Sequence, residues 1–264
     1  MTVPTLEMQG VSFAYEKDSV LKNLSLAIHR GEFVGIIGPN GSGKSTLIKL
    51  LGGFLPAASG TVYFDSRNIL NVPRKTLARS IAWVPQEHHL AFPFRVAELV
   101  MMGRHPYLSP IRYEGEEDHR IASQAMQLTA TTSFADRRFN EISGGEKQRV
   151  LMAGAICQEP EMMLLDEPTA SLDIKYQMEI LNILKRLNEQ NNITQVMAIH
   201  DLHLASKFCQ RLILLKEGQI VQDGSPEQVL TESHLEAVYE TPVKVVRNQD
   251  DGSIYIFPGA PCTL

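Results

Sequence analysis

The sequence predicts an α/β fold: a mixed, mainly parallel sheet covered on both faces, with an N-terminal antiparallel β sub-domain and an inserted helical sub-domain. Three observations carry this. Residues 33–37 form a solid apolar run, and 162–165 and 195–199 likewise read as strands buried on both faces, the pattern of parallel sheets. Between the last two, Ile180, Ile183, Leu184 and Leu187 fall at i, i+3, i+4 and i+7, one apolar helix face. Strand, helix, strand with apolar strands argues for parallel pairing under a helical cover. The first 28 residues differ, because there the apolar residues alternate.

In chain order, residues 6–13 and 24–28 have period two, as a half-buried antiparallel sheet does. The run at 33–37 leads into a glycine-rich turn, and from Ser45 the apolar residues follow helical spacing. Residues 88–155 lack β-branched runs and show helical spacing at Val96, Leu99, Val100 and again at Ile121, Ala125, Leu128. They read as a helical sub-domain inserted into an α/β core made of residues 1–87 and 156–240. A helical piece follows Ser225-Pro226. Residues 241–264 form a C-terminal β-hairpin extension, with Lys244-Val-Val and residues 254–257 flanking an Asp-Gly turn at 251–252. Together they make one domain over 1–264.

Composition narrows the function. The chain has 264 residues, 25 basic and 30 acidic, with a formal charge of −5. A chain of this length buries a full core without staples. It has no basic excess to neutralise phosphates along a strand, which disfavours nucleic acid as the main partner. No apolar run approaches the ~20 residues of a membrane span, and the start lacks the basic and apolar regions of a signal peptide. A cytosolic protein is expected. Cys157, Cys209 and Cys262 lie too far apart for a disulfide framework or a metal knuckle. The charge is uneven: net +4 over residues 1–86, net −8 after residue 155.

Four stretches carry chemistry. Gly38-Pro39-Asn40-Gly41-Ser42-Gly43-Lys44-Ser45 matches G-x-x-x-x-G-K-[ST], between a buried strand and a helix. Its glycines let backbone N–H groups turn toward phosphate oxygens, and the helix N-terminus adds its dipole. Lys44 reaches the β- and γ-phosphates, and the Ser45 hydroxyl can ligate Mg²⁺. The core is therefore expected to be of the P-loop NTPase type. Asp166 and Glu167 end the buried strand at 162–165, the edge where such sheets bind ligands; Asp166 suits Mg²⁺ and Glu167 a general base. The plain alternative is a strand stopping at two solvated acids. His200 ends the next strand, where a donor could hold the γ-phosphate and the attacking water; a structural histidine is the plain alternative. Ser143-Gly144-Gly145-Glu146 has the look of a capped helix N-terminus that suits an anion.

The P-loop, Ser143-Gly-Gly-Glu146 followed by Lys-Gln-Arg149, Leu165-Asp-Glu-Pro-Thr-Ala-Ser-Leu-Asp173, and His200 stand in that order. Over nearly the whole chain this resembles the ATP-binding subunit of an ABC transporter. The resemblance implies ATP and Mg²⁺, with Gly38 to Thr46 around the phosphates and Ser45, Gln86 and Asp166 around the ion. It implies Tyr15 as the aromatic stacked on adenine, although Phe13 and Tyr15 share one strand face and core packing would explain both. Lys44, Gln86, Glu167 and His200 take the catalytic roles, Gln86 meeting Mg²⁺ and water and signalling to the membrane partner; its plain alternative is a polar strand end. Ser143, Gly144, Gly145 and Glu146 match the signature that meets the γ-phosphate held by the opposite copy, and Asp173 the loop that crosses the dimer interface. Ile142 and Glu146 replace the usual leucine and glutamine. The implied partners are a second copy, two transmembrane permease subunits and, indirectly, an extracytoplasmic binding protein, with the chain at the cytoplasmic face of the cell membrane.

Val96-Ala-Glu-Leu-Val-Met-Met-Gly-Arg104-His-Pro-Tyr107 is similar to ATPases of importers for iron–siderophore, haem and cobalamin, and the closing 243–258 segment is consistent with them. Other importers, for a metal ion or molybdate, and a separate exporter subunit stay open. A chromosome or repair ATPase would insert a long coiled coil between P-loop and signature, but only 98 residues separate Ser45 from Ser143 and no heptads are sustained. His88, His89 and His105 lack a matching ligand set for a metal site of their own.

Overall fold

The computed structural model describes residues 5–16, 18–86, 92–109, 113–170, 172–248 and 253–259. His88, His89, the turn at 249–252 and Cys262 lie outside the described residues. The chain divides into two compact units, one from residues 1–71 and 196–264, the other from 72–195.

The first unit begins with β1 (Leu6–Tyr15), β2 (Asp18–Ile28), β3 (Phe33–Ile37), α1 (Lys44–Leu51), β4 (Ser59–Phe64) and β5 (Arg67–Asn68). β1 pairs antiparallel with β2 and β4, and the sheet runs β2-β1-β4-β5. The period-two pattern has its cause in this sheet: Leu6, Met8, Val11 and Phe13 of β1 and Leu24, Leu26 and Ile28 of β2 are all buried. Each contributes roughly 1.5–3 kcal/mol of burial.

The second unit holds α2 (Arg74–Ser80), β6 (Ile81–Val84), α3 (Val96–Met101), a 3₁₀ segment at Met102–Tyr107, α4 (Glu116–Leu128), α5 (Gly144–Cys157), β7 (Met162–Asp166) and α6 (Ile174–Asn191). β6 and β7 pair in parallel. The three helices after β6 share one apolar cluster, with Val96, Val100, Ile121, Ala125, Val150 and Ala153 at its centre. Leu128, on the expected face of α4, is 44% exposed: the helix ends there, and Leu128 joins Ile121, Ile156, Met163 and Leu187 in lining a surface groove of about 420 Å³. The 3₁₀ segment is pinned by Arg104, whose Nε donates to Asp118 at 3.0 Å and whose Nη1 donates to Glu159 at 2.8 Å and to the Cys157 carbonyl at 2.9 Å. The Tyr107 ring lies 4.2 Å from the same guanidinium.

β8 (Thr194–Ala198) leads back into the first unit, which continues with α7 (Leu202–Phe208), β9 (Arg211–Lys216), β10 (Gln219–Gly224), α8 (Pro226–Val229), α9 (Glu232–Tyr239), β11 (Val243–Arg247) and β12 (Ile254–Pro258). β3 lies between β9 and β8, parallel to β9, and β10 pairs antiparallel with β9. All five residues of β3 are buried, as its unbroken apolar run requires. β11 and β12 form the expected antiparallel hairpin, packed on α7 and α9. Among the described residues, no helix is long and apolar enough to cross a membrane.

Candidate functional site

In the first unit the glycine-rich turn leaves the carboxyl end of β3 and closes onto α1. Gly38 has φ +147°, and a Cβ there would lie 2.2 Å from the Leu215 carbonyl of β9. Gly43 caps α1 with φ +104° and no side-chain cap; a Cβ on it would lie 2.6 Å from Leu21 of β2. No other residue type fits either position. Lys44 is buried, and its Nζ donates to the carbonyls of Gly38 at 2.9 Å and Pro39 at 3.0 Å. Among the described residues, Ser42 Oγ is buried with no hydrogen-bond partner. A buried hydroxyl without a partner, an ammonium held beside it and an uncapped helix start fit a polyphosphate: each supplies a donor where an anion would sit. Pro39, Asn40 and Gly41 form the rim of this turn, and Ser45 and Thr46 open α1.

Tyr15, at the end of β1, is 45% exposed, while Phe13 is buried beneath it at 4.8 Å in an edge-to-face contact. The two rings thus differ despite sharing a face: one belongs to the core, and the other is open to stack. β2, the partner strand of that hairpin, runs past the loop, where the Lys22 N–H donates to the Gly218 carbonyl and the Gly218 N–H to that of Ser42. Tyr239, at the end of α9, was not visible in the sequence pattern. Burial pushes its hydroxyl up to about 12, moderated by a hydrogen bond with the backbone of Gly38. A tyrosine closing a helix 200 residues from the loop carries no local signal. His200 follows β8 and is exposed, with the preceding Ile199 N–H bonded to the Ile36 carbonyl at 3.1 Å. It therefore emerges at the same strand edge as the loop.

In the second unit, Val84 of β6 faces Leu165 of β7, so the chain continues into Gln86 beside Asp166 and Glu167. Gln86 Nε2 donates to Glu167 Oε2 at 2.7 Å. Asp166 is 3% exposed and Glu167 9%. Glu167 has φ +51°, in the left-handed region, which costs a non-glycine residue about 1–3 kcal/mol and persists only where the surroundings hold it. Here the strain turns a carboxylate out of the line of its strand and onto Gln86.

Ser143 caps α5. Its Oγ accepts from the Glu146 N–H at 3.3 Å, while the Glu146 carboxylate accepts from the Ser143 N–H at 2.8 Å and from its hydroxyl at 2.9 Å. This is a reciprocal capping box, with Gly144 and Gly145 as the first turn. Asp173 caps α6 through the Tyr176 N–H at 3.2 Å. The residues expected from the sequence thus gather in two sets: Tyr15, Gly38 to Thr46 and His200 in the first unit, Gln86, Ser143 to Glu146, Asp166, Glu167 and Asp173 in the second.

The profile of the ABC transporter family matches residues 21–170. The chain belongs to the ABC transporter family. Among ABC transporter relatives, YvrA of Bacillus subtilis, called an uncharacterized ABC transporter ATP-binding protein, is 40% identical over 92% of this chain and 55% of its own length. The cobalamin import ATP-binding protein BtuD of Halobacterium salinarum is 35% identical over 96% of this chain and 63% of its own. The chain thus spans less than two thirds of these two relatives. The ferric enterobactin transport ATP-binding protein FepC of Escherichia coli is matched nearly end to end, at 35% identity over 97% of this chain and 95% of its own. Among solved structures, an inward-facing ABC transporter described as of the metal-chelate type superposes with a TM-score of 0.83, at 27% identity over 97% of this chain and 98% of that one. The ATP-binding cassette MJ0796, a dimer in a post-hydrolysis state bound to ADP and Pi, gives 0.75, at 31% identity over 84% and 98%.

Proposed function

We propose that the chain is the ATP-hydrolysing subunit of an ABC importer. Two copies close around two ATP molecules, each pairing the P-loop of one copy with the Ser143–Glu146 signature of the other. The carrying observation is Glu167, a strained and largely buried carboxylate held at 2.7 Å by Gln86 at the end of β7. A base fixed in this way accepts a proton from water without reorganising. As the water oxygen bonds to the γ-phosphorus, the bond to the β,γ-bridging oxygen breaks, ADP leaves and the proton passes to Glu167. Lys44 offsets charge on the γ-phosphate, His200 donates to it, and Tyr15 stacks on the base. The hydroxyl of Ser45, the amide oxygen of Gln86 and the carboxylate of Asp166 are hard oxygen donors that suit Mg²⁺. When bound, the ion would neutralise phosphate charge.

The helical segment 88–155 carries the signature, and the stretch around Gln86 to Tyr107 grips a separate permease subunit. We place the chain at the cytoplasmic face of the membrane through two such permeases, with an extracytoplasmic binding protein delivering a metal chelate of the iron–siderophore, haem or cobalamin type. The names of BtuD and FepC and the motif at 96–107 support this cargo class. Glu167→Gln tests the chemistry. It should bind ATP, accumulate as a dimer and lose hydrolysis by at least ~10²-fold; turnover near that of the unaltered chain refutes the assignment. Screening the co-purified binding protein against ferric chelates, haem and cobalamin tests the cargo, and binding of a sugar or amino acid alone would overturn it.

A further inference from the structure

The signature of this chain carries a carboxylate where the family pattern has an amide, and that carboxylate is already engaged. Both donors of Ser143, its N–H at 2.8 Å and its hydroxyl at 2.9 Å, point to one oxygen of Glu146. We propose that Glu146 is a brake on dimer closure: it holds the donors of Ser143 and sets a negative charge where the γ-phosphate carried by a second copy must arrive. This deepens the two-copy reading above and rests on it.

The physical argument has two parts. A hydroxyl has a single proton, so while Ser143 donates to Glu146 it cannot donate to a phosphate; closure has to exchange one acceptor for another. The carboxylate also stays charged. The Ser143 N–H holds its pKa below the usual glutamate range against a partial burial that pushes the other way, with the Ser143 hydroxyl and then Arg137 and Arg149 adding to the lowering. Two like charges about 6 Å apart repel by roughly 0.7 kcal/mol in bulk water, and by several times that at the lower effective dielectric of a closing interface. A glutamine keeps the cap, since its amide oxygen accepts the same Ser143 N–H, but removes the charge and adds a donor. Glu146 is thus a positioning residue that acts through Ser143, and its presence raises the ATP concentration at which two copies close.

The test compares Glu167→Gln with Glu167→Gln/Glu146→Gln, with ATP as the probe and dimer fraction read by sedimentation velocity. Because two ATP enter each dimer, the per-site factor appears directly in the ATP midpoint. The double variant should close at an ATP concentration at least threefold lower, and the gap should shrink toward nothing in 1 M salt, where screening reaches ~3 Å. A capping role alone predicts an equal or higher midpoint and no salt dependence, and that result would overturn the brake. Glu146→Asp in the same background keeps the charge; its midpoint should not fall below that of the parent, and a fall matching that of glutamine would refute charge as the cause. If Glu167→Gln forms no ATP-dependent dimer, the two-copy reading fails and the brake with it. An ATP-driven dimer with an unshifted midpoint sinks the brake alone.

Discussion

Arg104→Met is the substitution whose consequence can be worked out most fully. The side chain of Arg104 is 6% exposed and that of Asp118 is fully buried, with 3.0 Å between Nε and Oδ1. Methionine fills much of the same volume but leaves the Asp118 carboxylate enclosed without its guanidinium, the Gly115 N–H still donating to it at 3.1 Å. It also leaves the Cys157 carbonyl without the 2.9 Å contact. Stranding one partner of a buried pair costs about 3–5 kcal/mol. The Glu159 contact adds little, because that carboxylate is 55% exposed and screened. Against a total stability of roughly 5–15 kcal/mol, this is a large fraction. At roughly 2–4 °C per kcal/mol for chains of this size, the melting temperature should fall by about 10 °C. Urea unfolding followed by circular dichroism gives the free energy. Arg104→Met/Asp118→Leu, which replaces both ions by apolar groups, should recover most of the loss. A single variant within 1 kcal/mol of the unaltered chain, or a double variant no better than the single, would refute the ion-pair argument.

Two further outcomes follow from the described geometry. Tyr15→Ala should weaken ATP binding by about tenfold, since a base stacked on an aromatic ring is worth about 1–3 kcal/mol; it should spare affinity for inorganic triphosphate, and equal losses for both ligands, measured by calorimetry, would remove Tyr15 from the base site. In a Cys262→Ser chain, Cys157 and Cys209 should resist iodoacetamide at pH 8 until the protein is unfolded. Burial pushes the Cys157 thiol up to about 12 and the Cys209 thiol higher still, so the reactive thiolate is scarce. Rapid labelling of the folded chain would contradict that burial.

The parts of this fold legible in the sequence were those with a strong local pattern. Period two marked β1 and β2, the unbroken run marked β3, and the 3.6 period marked α6. The glycine-rich turn was legible for the same reason, because φ angles such as those of Gly38 and Gly43 leave no choice of residue. β9 has the same kind of local signal, since Leu212-Ile-Leu-Leu215 is as apolar as β3 and Glu217-Gly218 supplies a turn after it. β5, with only two residues, exists through its pairing with β4 and has no pattern of its own. Gln86 against Glu167 and Tyr239 against Gly38 are contacts across long sequence separations, set by which strands and helices become neighbours. Nothing in the local residue pattern encodes them. The capping box at Ser143 lies at the other extreme, four residues long and complete within itself.

The nested order of the two units governs the timing of synthesis. Residues 72–195 are one continuous stretch, whereas the first unit waits for its second half. The phosphate loop leaves the ribosome early, yet the Leu215 carbonyl packed against Gly38, the Gly218 N–H on Ser42 and the Tyr239 hydroxyl on Gly38 arrive some 175 to 200 residues later. At about 5–20 residues per second, that delay is of the order of ten seconds or more. During it the nascent chain displays a glycine-rich loop without the scaffold that shapes it. The loop takes its final shape only once residue 239 has been made.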